Sequence, residues 1–342
     1  MNRVTLKLAL AGLAGVLGAV PFAVGAAYQR SQTRKDDREL PGLGELVTVD
    51  RHAIHTCRLG HDNEGPTVLF ESGLSSPLEM WTWIQGTVAV SAPTLSHDRA
   101  GVGWSESGPL PRTAERITAE LELLLESLAE PGPFVLVGHS YGGMLLRHFA
   151  QRHPDKVAGV VLVDAAHPEQ LTRSARQRLG LPLMRNSVRS SLFWSRFGLG
   201  RRTRKRPESQ LDGLPEPARA TTLARMMGTR NWVTTEAEVD AWLSHVIDET
   251  KDTRFSSGVP LYVLTAGETA QADPVHLQLQ QELAELTDTG VHQVLPGVSH
   301  LGILCDQTAA RHTAAVVLEV VDAARAGRAP KLVDPEPTTD QH

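Results

Sequence analysis

A serine stands between two glycines in the run Gly-His-Ser-Tyr-Gly at 138–142. The apolar stretch Phe134–Val137 precedes this run, and a helical pattern begins near Tyr141. A serine on so sharp a turn between a strand and a helix exposes its Oγ at the carboxyl edge of a sheet, and only small neighbours allow the bend. The sequence therefore predicts that Ser140 is a nucleophile, and a chance match in a loop is the weaker interpretation.

A serine hydroxyl is a poor nucleophile unless a base takes its proton, and His300 is the candidate for that base. It follows the last predicted strand, in a loop at the same edge of the sheet as Ser140. The chain has 14 histidines, and a surface or core position is the default expectation for His148, His153 and His245. His300 differs from these because of its position along the chain.

Three carboxylates compete to orient His300. Asp164 ends a continuous apolar strand next to the nucleophile strand in chain order, and a turn cap is its alternative role. Asp273 follows the next predicted strand at the start of a helix, where aspartate also suits a helix N-cap ahead of proline. Glu268 is the third candidate. The residues favour Asp164 over Asp273 only slightly, and both keep the chain order serine, acid, histidine.

An acyl-transfer site also needs two donors for the developing oxyanion. The backbone N–H of Tyr141, directly after the serine, would supply one donor. The backbone N–H of Leu74 would supply the other, from the turn after the strand that ends at Glu71. Both are main-chain groups, so the side chain at position 74 need not be polar.

The remaining pattern alternates strands with helices, as expected for a parallel sheet that is covered on both faces by helices. Helices are predicted at 113–128, 144–151, 275–286 and 308–324. The strands are predicted at 46–49, 54–58, 67–71, 93–97, 134–137, 157–163, 261–265 and 292–295.

The alternation is interrupted between the sixth and seventh strands by a helical, proline-punctuated segment with three tryptophans, Trp194, Trp232 and Trp242. We interpret residues 168–257 as an inserted cap, and the core as 45–167 together with 258–326. Residues 31–44 are predicted to be a linker, and residues 327–342 a disordered tail. The basic cluster at 201–206 is expected to be a solvated loop, with an anionic substrate or a lipid surface as the alternative.

The first thirty residues are expected to lie outside the fold. Residues Leu8–Tyr28 carry no charge over 21 positions, which is enough to span a bilayer and longer than a signal-peptide core. We therefore predict a membrane-anchored protein. Small residues at 24–26 keep a cleaved signal peptide, and with it a secreted or periplasmic protein, as the alternative.

Composition excludes several classes. Lys and Arg number 34 against 39 Asp and Glu, a net charge of −5, so nucleic acid is not expected as a partner. The only two cysteines, Cys57 and Cys305, lie far apart, which argues against a zinc site and favours two buried thiols over a disulfide. We expect no metal and no organic cofactor.

Three motifs together resemble the α/β-hydrolase superfamily. They are the Gly-His-Ser-Tyr-Gly-Gly elbow, the run 97–105 that is similar to an Asp-Arg-x-Gly-x-Gly-x-Ser loop, and Glu71–Leu74, which is similar to the oxyanion loop with Ser72 in place of a histidine. The resemblance implies an α/β-hydrolase fold with a mostly parallel eight-stranded sheet and a helical cap after strand 6.

The resemblance also indicates where the acid that orients His300 would lie. The superfamily commonly places its acid in a Gly-x-x-Asp turn after the seventh strand, but this chain has Gly-Glu-Thr-Ala at 267–270, and Asp273 comes three residues late. Some members place the acid after the sixth strand instead, which corresponds to Asp164. Members that attack with aspartate, such as dehalogenases and epoxide hydrolases, differ from this chain at Ser140.

These features predict a serine hydrolase that cleaves a carboxylic ester of a small apolar acyl substrate through an acyl-enzyme. Thioesterase, amidase and cofactor-free haloperoxidase activity on the same triad are alternatives. A non-catalytic, membrane-tethered protein that binds a small apolar ligand under the cap is the alternative from another functional class.

Overall fold

The computed structural model describes residues 3–202 and 210–334, with side chains described from residue 20 onward and not at residue 202. Its centre is one eight-stranded sheet with the strand order β1-β2-β4-β3-β5-β6-β7-β8. The strands are β1 Glu45–Val49, β2 His52–Leu59, β3 Thr67–Glu71, β4 Thr94–His97, β5 Phe134–His139, β6 Val157–Val163, β7 Leu261–Ala266 and β8 Val291–Leu295.

The sheet is mostly parallel. The β1–β2 and β2–β4 pairs are antiparallel, and the five other pairs, from β4–β3 to β7–β8, are parallel. Strands in the middle of a parallel sheet are buried on both faces, which explains why β6 and the first four residues of β5 are continuous apolar runs. The predicted fold class, with its eight strands, is confirmed.

Helices cover both faces of the sheet. One face packs against α2 (Thr82–Val88) and α14 (Gln307–Ala326), through side chains such as Ile84 and Val317. The other face packs against α3 (Ala114–Ser127) and α4 (Tyr141–Arg152), and β6 and β7 also contact α12 (Pro274–Ala284) there. The core therefore lies in two layers, on either side of the sheet.

The segment between β6 and β7 is helical in its described part, as the sequence predicts, and we call it the cap. Its described helices are α5 Gln170–Arg173, α6 Ala175–Ser195, α7 Leu199–Arg202, α8 Ala218–Met226, α9 Thr229–Ala241 and α10 Ile247–Thr250, with a π-helical turn at Trp242–Val246 between the last two. Residues 203–206 of the predicted basic loop lie outside the described residues. Two short helices, α11 Gly267–Ala272 and α13 Gly302–Cys305, belong to the core.

The N-terminal region differs from the prediction. Helix α1 runs from Arg3 to Glu39, so the first part of the predicted linker 31–44 is helical instead. The reason is contact with the cap, because Asp36 pairs with Arg201 and Asp37 pairs with Arg225. The predicted membrane segment lies within α1, and the side chains of its residues 8–19 are not described. Among the residues that are described, no helix has both the length and the apolar character needed to cross a bilayer.

The C-terminal tail differs in part as well. The predicted disorder is wrong for residues 328–334, because Arg328 pairs with Glu319, and Val333 bonds through its backbone to Tyr262 and Gln293. Residues 335–342 lie outside the described residues. The two cysteines are free and buried, as expected, and burial raises the pKa of the Cys57 thiol to about 11.

Candidate active site

Strand ends place the predicted chemistry at one edge of the sheet. Ser140 follows β5, Asp164 follows β6, and the loop after β8 carries His300. The loop with Leu74 follows β3. Because these strands are parallel, their carboxyl ends meet at the same edge. Residues that are far apart in the chain are therefore neighbours here.

Ser140 occupies the predicted tight turn between β5 and α4. Its backbone has φ 52° and ψ −122°, a conformation that costs free energy in any residue other than glycine. Two hydrogen bonds to the neighbouring strand region hold the turn: the N–H of Ser140 donates to the Val163 carbonyl at 3.1 Å, and its own carbonyl accepts from the Ala166 N–H at 2.9 Å. A Cβ atom at Gly142 would collide with the Glu71 carbonyl, which explains why a glycine follows.

His300 lies against Asp164. The distance from His300 Nδ1 to Asp164 Oδ2 is 2.6 Å. Since an ionised carboxylate only accepts, the proton of His300 is on Nδ1, and Nε2 keeps its lone pair. This is the tautomer that a general base for a serine requires. Ser140 and His300 line the same cavities, although no direct hydrogen bond joins their side chains in the described structure.

Asp164 is held on both oxygens. Oδ1 accepts from His276 Nε2 at 2.9 Å and from the Ala266 N–H at 3.2 Å, while Oδ2 also accepts from Thr269 Oγ1 at 3.1 Å. Burial alone would raise the pKa of Asp164, but the hydrogen bonds from His276 and His300 outweigh it and hold that pKa well below its ordinary value. The carboxylate therefore stays ionised and fixed in orientation.

The two other acids take different places. Asp273 is the N-cap of α12, where Oδ1 accepts from the Val275 N–H at 3.2 Å. Its Oδ2 accepts from Ser174 Oγ at 2.6 Å, which joins α12 to the first residues of the cap. Glu268 lies in the first turn of α11 and lines a cavity near Ser140. Of the three candidates, the structure brings Asp164 to the His300 ring.

Sequence reasoning missed His276. It lies in the first turn of α12 and is 5% exposed, with its ring directed at Asp164. The contact arises because α12 packs its N-terminal end beside the end of β6. No motif in the sequence marks such a contact between two distant segments. Asp273, the helix N-cap three residues earlier, marks only where α12 begins.

The predicted oxyanion donors lie near Ser140. Tyr141 is the first residue of α4, so its N–H has no partner four residues earlier in the helix. Gly73 and Leu74 line the same cavity as Ser140. A Cβ built at Gly73 would come within 3.2 Å of Ser140 Cβ, so the predicted oxyanion loop, Glu71–Leu74, passes close to Ser140.

Arg99 holds this loop. Its Nη1 donates to the Ser72 carbonyl at 2.6 Å, and its Nη2 donates to the Gly73 carbonyl at 2.9 Å. The same guanidinium makes a two-point ion pair with Glu238 of α9, at 2.7 and 3.0 Å, and pairs with Glu71 at 2.6 Å. All of these charges are buried. Arg99 therefore joins the oxyanion loop to the cap.

We expect Glu238→Gln to lower the free energy of unfolding by about 3 kcal/mol, because it leaves the buried Arg99 charge only partly compensated. Urea denaturation at pH 7 measures this change. Glu236→Gln on the same helix is the control, since Glu236 pairs with the exposed Arg189 at 3.4 Å and such pairs contribute less than about 1 kcal/mol. Equal losses in the two variants would contradict the role of Arg99 described above.

His139 lies beneath His300. Its Nε2–H donates to the His300 carbonyl at 3.0 Å, and the two ring centroids are 4.6 Å apart. Burial, followed by repulsion from the protonated form of His300, lowers the pKa of His139 to about 3. His139 is therefore neutral at physiological pH.

This shift predicts a pH dependence of stability. The unfolded chain binds a proton at His139 near pH 6.5, while the folded protein does so only near pH 3, so the free energy of unfolding falls as the pH falls between these values. We expect this residue to account for a loss of about 2 kcal/mol between pH 7 and pH 5. Urea midpoints of His139→Gln should fall correspondingly less than those of the wild type. The exposed His61→Gln serves as the control, and an unchanged slope in His139→Gln would refute the assignment.

Two cavities meet at Ser140 and His300. One, of about 690 Å³, extends past Leu74 toward Cys305. The other, of about 490 Å³, extends under the cap past Trp242 toward Asp273. Of the residues that the structure describes, only Ser140, Ser299 and His300 line both cavities. Among the described residues, no group of three or more His, Cys, Asp or Glu side chains is arranged to hold a metal ion.

Comparison with known proteins gives a family and several relatives. The model of the alpha/beta hydrolase family matches residues 68–312. The uncharacterized protein YqjL of Bacillus subtilis is 32% identical over 125 residues, which cover 36% of this chain and 49% of that protein. Lipase LipV of Mycobacterium tuberculosis is 38% identical over 80 residues, 23% of this chain and 28% of the lipase. The chain thus spans about half or less of the length of these two relatives.

A solved structure is similar over most of its length. The enol-lactonase from Burkholderia xenovorans superposes with a TM-score of 0.54 at 20% identity, covering 81% of this chain and 98% of the lactonase. At this identity the likeness concerns the fold.

Proposed function

Because the chain belongs to the alpha/beta hydrolase family, we propose that it is a serine hydrolase that cleaves a carboxylic ester through an acyl-enzyme intermediate. The observation that carries this proposal is the 2.6 Å contact between His300 Nδ1 and Asp164. That contact leaves Nε2 as the ring nitrogen of His300 that can accept a proton, and His300 lines the same cavities as Ser140. An orienting acid, a base and a strained serine at one sheet edge are what nucleophilic acyl transfer requires.

The first half of the reaction forms the acyl-enzyme. Ser140 Oγ attacks the ester carbonyl carbon while His300 Nε2 takes its proton. The carbonyl oxygen becomes an oxyanion and accepts hydrogen bonds from the N–H groups of Leu74 and Tyr141. As the tetrahedral intermediate collapses, the bond to the alcohol oxygen breaks and His300 gives its proton to that oxygen. The charge of Asp164 stabilises the imidazolium in between.

The second half releases the acid. A water molecule loses a proton to His300 Nε2 and attacks the acyl carbon, and the same two N–H groups stabilise the second oxyanion. The bond from the acyl carbon to Ser140 Oγ then breaks, and Oγ regains the proton from His300. Every step uses groups of this chain and water.

An ester is favoured over an amide because an alkoxide leaves more readily than an amine anion. The substrate would be apolar on both sides of its carbonyl carbon, since Leu74 and Leu301 line one cavity and Trp242 lines the other. We further propose that the uncharged segment Leu8–Tyr28 keeps this activity at a membrane.

The test uses the purified full chain with p-nitrophenyl acetate, butyrate, octanoate and palmitate, together with a fluorophosphonate probe that labels activated serines. We expect saturable turnover with an optimum in acyl length, and loss of turnover in proportion to the fraction of chain labelled. A chain that neither labels nor turns over any ester would overturn the proposal and favour a ligand-binding role.

A further inference from the structure

A second cavity system lies between α1 and the cap, and it shares no residue with the two cavities at Ser140. Its volume is about 380 Å³. The charged residues that line it are mostly basic: two aspartates, Asp36 and Asp37, and five arginines. The arginines are Arg30, Arg34, Arg201, Arg225 and Arg230. We call it the arginine pocket. An excess of guanidinium groups at a concave site favours an anionic ligand.

The N-terminus of α9 opens into the same pocket. Residues 228–231, which are the N-cap and the first three positions of this 13-residue helix, all line the pocket. Gly228 is the N-cap, and no side chain caps the helix. The free N–H groups and the positive end of the helix dipole therefore add to the field of the arginines.

Arg225 provides an independent observation. It is only 7% exposed, and within the described part of the chain Nη1 is the one guanidinium nitrogen with a hydrogen bond, to Asp37 Oδ1 at 2.8 Å. Nε and Nη2 are buried without a partner, and the group stacks on Trp104 with 3.4 Å to the ring centroid. Arg225 is therefore paired with Asp37 through one nitrogen only, and its buried, incompletely satisfied guanidinium adds to the positive field that an anion in the pocket would meet.

The other charged residues of the arginine pocket also leave it with an excess of positive charge. Arg230 donates to the Gly103 carbonyl at 2.8 Å, and burial followed by the charge of Arg225 lowers its pKa. Asp36 and Asp37 each pair with one arginine, Arg201 and Arg225 respectively. Arg30 and Arg34 are exposed at the rim, on the face of α1 that borders the pocket.

From these contacts we propose that the arginine pocket binds a phosphate group, with Arg34 and Arg230 as its ligands and the α9 N-terminus as its backbone cradle. A phosphate oxygen accepts from both guanidinium and helix N–H donors, and its charge balances the excess of arginines. The ligand is either the headgroup of an anionic phospholipid or a free phosphate ester. This site is separate from ester cleavage and does not depend on it.

The experiment titrates the full chain, in nonionic detergent, by calorimetry with three probes: inorganic phosphate, sn-glycerol 3-phosphate and phosphatidylglycerol in mixed micelles. Mixed micelles with phosphatidylcholine are the zwitterionic control. We expect saturable binding of a phosphate probe. A tighter phosphatidylglycerol isotherm identifies a lipid headgroup, and equal or tighter binding of the soluble probes identifies a free phosphate ester.

Two variants locate the site. We expect Arg34→Gln and Arg230→Gln each to weaken binding about tenfold, since each removes a charge-assisted hydrogen bond. Arg311→Gln, an exposed arginine on α14, should bind as the wild type does. Because Arg34 is exposed, its variant is expected to fold, and circular dichroism checks this. Absence of saturable binding by every phosphate probe, or wild-type affinity in both pocket variants, would overturn the proposal.

Discussion

Ser140→Ala is expected to lower kcat for the best p-nitrophenyl ester by about 10⁵-fold or more, because removal of the nucleophile leaves only binding and the oxyanion donors to act on the substrate. The KM should change little, since the hydroxyl contributes little to substrate binding. The variant should also lose all labelling by the fluorophosphonate probe. Initial rates and gel fluorescence measure the two effects independently.

A matched serine provides the control. Ser299 lines the same two cavities as Ser140, but it is exposed in the loop before His300, and its Oγ accepts from the Gly302 N–H. Ser299→Ala should therefore keep its labelling and retain kcat within about tenfold. If Ser140→Ala were still labelled and active, another residue would have to be the nucleophile.

Asp164→Asn is expected to lower kcat by about 10⁴-fold, because it changes the tautomer of His300. The asparagine amide can present an N–H where the carboxylate accepted, which drives the histidine proton to Nε2 and removes the base. The imidazolium that forms during attack also loses its counter-charge. The rate of acylation, measured in a stopped-flow burst, reports this step directly.

Asp273→Asn distinguishes the two acids. Asparagine is as good an N-cap as aspartate, so α12 should keep its start, and its bond with Ser174 can be retained. We expect kcat to fall less than about tenfold, because Asp273 touches neither His300 nor Ser140. A larger loss in Asp273→Asn than in Asp164→Asn would reverse the assignment of the acid.

The sequence predicts the parts of this molecule that depend on local pattern. Apolar runs predict the strands, because central parallel strands are buried on both faces, and the glycines around Ser140 predict a turn that no bulkier residues permit. Ser140 and His300 are identified by these patterns and by chain order. The choice between Asp164 and Asp273 stays open at that stage, because a helix N-cap and a triad acid require the same residue type.

Other features depend on contacts between distant segments. The ion pair of Arg99 with Glu238 joins a core loop to the cap across 139 positions, and His276 reaches Asp164 across 112. Neither contact is visible in any window of sequence. The extension of α1 to Glu39 has the same origin, since pairing with the cap stabilises helix through the mixed charges at 31–39, whereas Pro41, Gly42 and Gly44 of the predicted linker follow the end of the helix.

The division of the site at Ser140 has a consequence for selectivity. An ester separates at its carbonyl carbon into an acid and an alcohol, and the two cavities extend from that point in different directions, one past Leu74 and one past Trp242. On the ester cleavage proposed above, each product would have its own compartment, with few side chains in common. Substitutions in one cavity would change the preference for the acid part, and substitutions in the other would change the preference for the alcohol part. Related enzymes could therefore vary the two preferences independently, while the reacting groups stay unchanged.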